Sequence, residues 1–177
     1  MPKNNRHDQA AIWDEEQFDA VMVELSPKMR ALFSICYYTG CRISEARQLK
    51  AEDLVSGQIV FRKSTTKTNQ TRSVHIHPTL KQMLKEADLP RSGYLFPGRR
   101  GPITRQACDK ALRQVCDLLG FEGFSTHSFR RTALTRLSNA GVPLRVVQEI
   151  SGHESLEALR KYLEVKPEQV EQAVSML

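Results

Sequence analysis

The chain has 177 residues, of which 40% are apolar and 26% charged, and this globular balance excludes a collagen-like, low-complexity or disordered chain. At roughly 100–200 residues per domain the length fits a single domain. Lysine and arginine (26) exceed aspartate and glutamate (20) for a formal charge of +6 and a pI near 9.3, which suits a polyanionic partner, nucleic acid being the commonest. No apolar run approaches the ~18 residues of a membrane span. Residues 1–8 lack the apolar stretch of a signal peptide, so the expected location is the cytoplasm. Cys36, Cys41, Cys108 and Cys116 form neither a C-x-x-C pair nor a zinc pattern and read as reduced, mostly buried thiols.

Residues 1–12 read as a flexible start. From Asp14 to Leu25, acidic Asp14, Glu15 and Glu16 favour a helix N-terminus, and Phe18, Val21, Met22 and Leu25 then form one apolar stripe. Lys28 to Thr39 is a more apolar helix, central in the core and stopped by Gly40. Ile43 to Leu49 opens another, with Ser44 as its cap. Gln58 to Arg62 and Ser73 to His77 alternate β-branched and aromatic residues around a polar stretch, predicting a β-hairpin with a long basic tip. Thr79 to Ala87 is helical. Leu89 to Thr104, rich in Pro and Gly, is a loop in an arginine-rich region with Arg91, Arg99, Arg100 and Arg105. Helices follow over Thr104–Leu119, Thr126–Asn139, Pro143–Ile150 and Ser155–Leu163, and a last short segment places Val170, Ala173, Val174 and Leu177 on one face. The expected fold is therefore mainly α with a small antiparallel β-sheet at one edge, without internal repeats.

Four stretches can carry chemistry. In Thr39-Gly40-Cys41-Arg42-Ile43-Ser44-Glu45, an arginine opens a helix whose N-terminus already offers unpaired N–H groups, which suits a phosphate; a surface pair with Glu45 is the plainer alternative. In Thr126-His127-Ser128-Phe129-Arg130-Arg131, His127 and Arg130 lie three apart on one helix face, an imidazole beside a fixed cation, or else an exposed polar face. His153 follows Gly152 where a helix stops, in a turn. Tyr162 sits among Arg160 and Lys161, nine residues beyond His153, either packing or serving as a nucleophile if cations gather around it. His75 and His77 read as strand residues, not as a metal site.

In this order the stretches resemble the catalytic domain of the tyrosine recombinases, the phage integrase family. T-G-x-R-I-S-E is similar to the family's first arginine motif, H-S-F-R-R-T to its H-x-x-R box, G-H to its second histidine position, and Tyr162 to its nucleophile. The basic hairpin tip stands where the family carries a lysine. The resemblance runs from about Trp13 to Tyr162, and five motifs in order are far more specific than any one.

The resemblance implies site-specific cleavage and rejoining of double-stranded DNA through a 3′-phosphotyrosyl link, with neither metal nor cofactor. Arg42, Arg130 and His153 would meet the charge on the phosphate. Lys67 would protonate the leaving 5′-oxygen, His127 would assist removal of the tyrosine proton, and Glu45 would support Arg42 or a neighbouring basic residue. Lys63 is the competing lysine; it follows directly on the end of the first strand, whereas Lys67 lies near the middle of the tip. Type IB topoisomerase-like relaxation and a DNA-binding module with vestigial catalysis are the alternatives. Residues 13–177 are expected to form one catalytic domain without the family's N-terminal clamp domain. Residues 167–177 would be a docking helix, on the chain's own core or on a neighbouring protomer assembled on DNA. The expected setting is cytoplasmic and nucleoid-associated.

Overall fold

The computed structural model describes residues 10–66, 70–161, 163, 165 and 167–176; most of the expected flexible start, with Lys67, Tyr162 and Leu177, lies outside the described residues. Local sequence sets the helix ends. Asp14 caps α1 (Glu15–Glu24) in a reciprocal box with Gln17, satisfying two N–H groups that the first turn leaves open. Ser26 caps α2 (Pro27–Thr39), with Pro27 in its first turn, where a missing N–H costs nothing. Gly40 ends α2 in the left-handed region at φ 60°.

α2 is the centre of the molecule, with Ala31, Leu32, Phe33, Ile35 and Cys36 fully buried. α4 (Pro78–Glu86) and α6 (Thr126–Asn139) pack against it, and the rings of Phe33 and Phe129 stack with centroids 4.8 Å apart. Trp13 pins the start of the described chain to this core. Its ring stacks on Phe124 at 3.6 Å, and its backbone N–H donates to Thr132 Oγ1 at 2.9 Å. α5 (Arg105–Leu119), capped by Thr104, inserts Cys108, Leu112 and Cys116 from the other side. All four cysteines are buried free thiols, and burial pushes Cys108 and Cys116 up to about 11, which makes them poor nucleophiles.

The edge sheet is antiparallel, in the order β1 (Leu54–Val55), β2 (Gln58–Phe61), β3 (Arg72–His75). Ile59 pairs with Val74 and Phe61 with Arg72. Ile59 and Phe61 are buried, so strand alternation turns Arg72 and Val74 toward the core as well. A second ladder of β4 (Pro97–Gly98) and β5 (Gly101–Pro102) lies within the Leu89–Thr104 stretch read as a loop. α7 (Leu144–Ser151) and α8 (Leu156–Arg160) fold onto the far end of α6 through a separate small cluster of Leu134, Val147 and Leu159, with Leu137, Val142 and Leu163 at its margin.

Several expected details change. Only Ile43–Ala46 is α-helical (α3), and its N-cap is Arg42 rather than Ser44, because Glu45 closes the turn by accepting the Arg42 N–H at 2.8 Å. The second hairpin strand starts one residue earlier and ends at His75. His77 is not a strand residue; its Nδ1 accepts the Thr79 N–H at the start of α4 while its ring stacks on Tyr38 at 4.6 Å. At the tip, Lys63–Thr65 forms a 3-10 turn.

The tail helix α9 (Pro167–Ser175) contributes no buried residue, and Val170 and Val174 are 54% and 64% exposed. Self-docking through the apolar face is therefore not what its described residues do. One polar contact, Gln169 Nε2 donating to Asn139 Oδ1 at 2.9 Å, reaches back to α6. Removing residues 167–177 is expected to change unfolding free energy by no more than about 0.5 kcal/mol, the usual size for surface changes. Urea titration of the truncated chain checks this, and a large drop in the midpoint would mean that the helix carries part of the fold.

Candidate active site

The C-terminal end of α2, the start of α3, the middle of α6 and the turn after α7 meet around one side chain, Arg130, which is 1% exposed. Its Nη1 donates to the carbonyls of Gly40 and of Ser151, the latter at 3.0 Å, and its Nη2 lies 2.9 Å from His153 Nε2. The two carbonyls belong to the C-terminal ends of α2 and α7, where unpaired C=O groups and the negative end of the helix dipole favour a cation. Burying a guanidinium costs several kcal/mol. Hydrogen bonds to a charged donor return about 1.5–3 kcal/mol each, so this set is of the size needed to hold the charge inside.

Gly40 makes the approach possible. A Cβ there would stand 3.1 Å from Leu134 Cδ2 and 3.5 Å from Ser151 Cβ, and the residue is at positive φ. A side chain would strain the turn and push α2 away from α6 and α7. The glycine of the T-G-x-R stretch thus serves the arginine of the H-x-x-R stretch.

His153 is 6% exposed and therefore no surface turn residue. The Ser151 hydroxyl donates to the Gln148 carbonyl at 3.3 Å, leaving its oxygen to accept the Nδ1–H of His153 at 2.7 Å. A guanidinium only donates, so the Nε2 facing Arg130 carries a lone pair and the ring is neutral. Burial pulls its pKa down to about 3, helped by the charges of Arg130, Arg42 and Arg72. His127, at the start of α6, is half-buried, and burial, then Arg105 and Arg130, also lower its pKa; a neutral imidazole there is able to take a proton.

Arg42 and Glu45 pair as the sequence allows, Nη1 to Oε1 at 3.7 Å, but not on the surface: Glu45 is 1% exposed and the Arg42 side chain 17%. Arg42 Nη1 is buried with no hydrogen-bond partner among the described residues, an N–H ready for an acceptor. The residue that sequence reasoning missed is Arg72. Its two terminal nitrogens donate to the Glu45 oxygens at 3.4 and 3.2 Å. The readable signal is parity: a charged residue in register with inward-facing Val74 needs a buried partner.

Arg42, Arg130 and His153 thus converge, with Glu45 behind them and His127 one turn before Arg130 on α6. Lys67 and Tyr162 lie outside the described residues; the neighbouring Leu163 packs against the α6–α7–α8 cluster, and Thr66 is tied back by accepting from the Gln70 N–H at 3.2 Å. No trio of His, Cys, Asp or Glu among the described residues is placed to hold a metal. No described helix is long and apolar enough to cross a membrane.

The profile of the Phage integrase family matches residues 13–169. The chain is 36% identical over 151 residues to y4qK of Sinorhizobium fredii, named as an integrase/recombinase, covering 82% of this chain and 49% of that protein. It is 31% identical over 180 residues to the tyrosine recombinase XerC of Rhodospirillum centenum, covering 95% and 52%. Among solved structures it is similar to the XerH site-specific recombinase bound to its difH substrate, with a TM-score of 0.72 and 25% identity over 97% of this chain and 56% of that one. The chain spans about half the length of the curated relatives it matches.

The depressed His153 pKa has a consequence for stability. Between about pH 6.5 and pH 3 the unfolded chain binds a proton that the folded ring refuses. Its contribution is therefore full above pH 6.5 and is lost progressively as pH falls toward 3. In His153→Gln, unfolding free energy measured by urea titration at stepped pH should fall less steeply across that window than in the parent chain. Parallel curves would contradict the neutral, buried ring.

Proposed function

The chain belongs to the phage integrase family of tyrosine recombinases, and we propose that it cleaves and rejoins DNA strands at specific sites through a phosphotyrosyl intermediate. The observation that carries this reading is the convergence of Arg42, Arg130 and His153, with an Arg42 N–H that no described acceptor satisfies. Cationic donors fixed before the substrate arrives suit a phosphodiester whose charge grows in the transition state.

In this reading the Tyr162 oxygen attacks the phosphorus, the bond from phosphorus to the 5′-oxygen breaks, and the 3′-phosphate remains on the tyrosine. His127, kept neutral by burial and by its arginine neighbours, takes the tyrosine proton. Lys67 gives its proton to the leaving 5′-oxygen. A phosphate among the arginines offsets the charge repulsion, the smaller part of what holds the His153 pKa down after burial, and for His153 to donate to a non-bridging oxygen its ring exchanges the Arg130 contact for the phosphate. Resealing runs the same steps backwards, with the phosphotyrosyl bond preserving the phosphodiester energy.

Lys67 is preferred to Lys63 as the acid. Lys63 lines an open groove of about 470 Å³ with Val60, Arg62, Ser64 and Thr71. Val60 alternates with inward-facing Ile59 and Phe61, so the groove opens on the sheet face away from Arg72 and Glu45. The protein would act in the cytoplasm at the nucleoid, as an assembly of protomers on DNA. The exposed apolar face of α9 is the surface we assign to a neighbouring protomer, and the truncation that spares stability should then abolish assembly on DNA in a gel-shift assay.

The test is covalent trapping on nicked suicide duplexes. The parent chain should form an adduct and Tyr162→Phe none, although the variant still binds DNA. Lys67→Ala should form it on the order of 10²–10⁴-fold more slowly and approach the parent rate when the 5′-oxygen is replaced by sulfur, which leaves without a proton. An adduct that persists in Tyr162→Phe would refute the assignment, as would sulfur rescue of Lys63→Ala in place of Lys67→Ala.

A further inference from the structure

Arg72 joins three elements that the chemistry needs together. It stands at the start of β3, on the hairpin that carries the tip, and faces the core. Its guanidinium lies 4.3 Å above the ring of Phe61, its cross-strand neighbour. Nε donates to the Ile150 carbonyl near the end of α7 at 3.3 Å. The other two nitrogens form a fork on the Glu45 carboxylate, and Glu45 caps α3 by accepting the Arg42 N–H.

The fit against the turn after α7 is equally close. A Cβ on Gly152 would stand 3.0–3.1 Å from Arg72 Nη1, Cδ and Cζ. Gly152 suits its φ of 66°, and any side chain there would also have to displace Arg72 by a few tenths of an ångström. Hairpin, α3 and the Gly152–His153 turn are all held by one side chain, 11% exposed.

The distribution of charge on Glu45 decides what this does. A carboxylate 1% exposed has two arginines beside it, at 3.2 Å (Arg72) and 3.7 Å (Arg42). Arg72 takes the paired hydrogen bonds, which are the stronger geometry, and Arg42 is left in Coulombic contact with its Nη1 not bonded to any described acceptor. Without Arg72 the buried carboxylate would be undercompensated, and the nearest remaining cation is Arg42.

We propose that Arg72 is a positioning residue: by occupying Glu45 it keeps the Arg42 guanidinium available to the phosphate, and it locks the hairpin and the His153 turn to the same frame. The inference rests on the reading given under Proposed function and extends it to a residue that does not itself touch the substrate.

The experiment is single-turnover adduct formation by the full chain, on a nicked suicide duplex pool enriched by the parent chain. It compares the parent with Arg72→Met, Arg72→Lys, Glu45→Gln and the Glu45→Gln/Arg72→Met double variant. Methionine keeps an aliphatic stem over Phe61 and removes the ties. Arg72→Met should be slowed on the order of 10²-fold, the size of a small misplacement of a reacting group, and Arg72→Lys less. The double variant should be no slower than Arg72→Met, because removing the carboxylate charge releases Arg42. Replacing a non-bridging oxygen at the scissile phosphate by methyl removes the charge that Arg42 meets, and should shrink the Arg72→Met deficit.

Losses that multiply in the double variant, or a deficit equal on phosphate and methylphosphonate, would overturn the inference and leave Arg72 a part of the fold only. If Arg72→Met does not fold, the same cycle is run with Arg72→Lys, and the same two outcomes decide. Failure of the parent chain to form any adduct would overturn the proposed function, and this inference with it. An adduct in the parent with multiplying losses overturns this inference alone.

Discussion

The structure depends on one buried cation. Arg130 sits at 1% exposure where the ends of α2 and α7 meet the middle of α6, and its Nη1 draws a carbonyl from each of those two ends. A guanidinium in that position is tolerable only while both helix ends and His153 stay in place, since a buried charge without partners costs several kcal/mol. Conversely, each helix end satisfies a carbonyl that its last turn would leave open. Packing of Phe33 on Phe129 sets the distance between α2 and α6, and Gly40 removes the side chain that would hold them apart.

Around this centre the charges are graded by burial. Arg130 is committed to backbone and His153; Arg72 is committed to Glu45; Arg42 retains a donor that is not committed among the described residues. Rigidity and availability are divided between similar side chains by their partners. That division fits a site where donors must be fixed in advance, so that little reorganisation is left for the moment when phosphate charge develops.

Much of the fold was legible because local signals and packing agree. α6 has the boundaries expected from the sequence, Gly40 stops α2, and the acidic Glu15 and Glu16 stand in the first turn of α1. The errors fall where a competing contact, local or tertiary, overrode the residue's usual preference. Ser44 is a good cap by type, but Glu45 closes the turn onto Arg42. His77 continues the alternation of the strand, but stacking on Tyr38 and capping α4 claim it. In the site, Arg42, Glu45, His127, Arg130 and His153 were readable as motif residues. Their burial was not, because an isolated stretch does not show that helix ends will close over it. Arg72 carries no motif; its role follows only from strand register and from Glu45 across the fold.

The central claim is that the side chain organising the fold also organises the proposed phosphate site, and Arg130→Lys tests it most directly. Lysine keeps the charge but has one nitrogen, which cannot reach two carbonyls and His153 with the same planar geometry. The measurement is the melting temperature together with the single-turnover rate of adduct formation, for the variant and the parent chain. The account predicts that both fall together. A variant that melts several degrees lower yet forms adduct at the parent rate would show that the fold and the site do not share this residue.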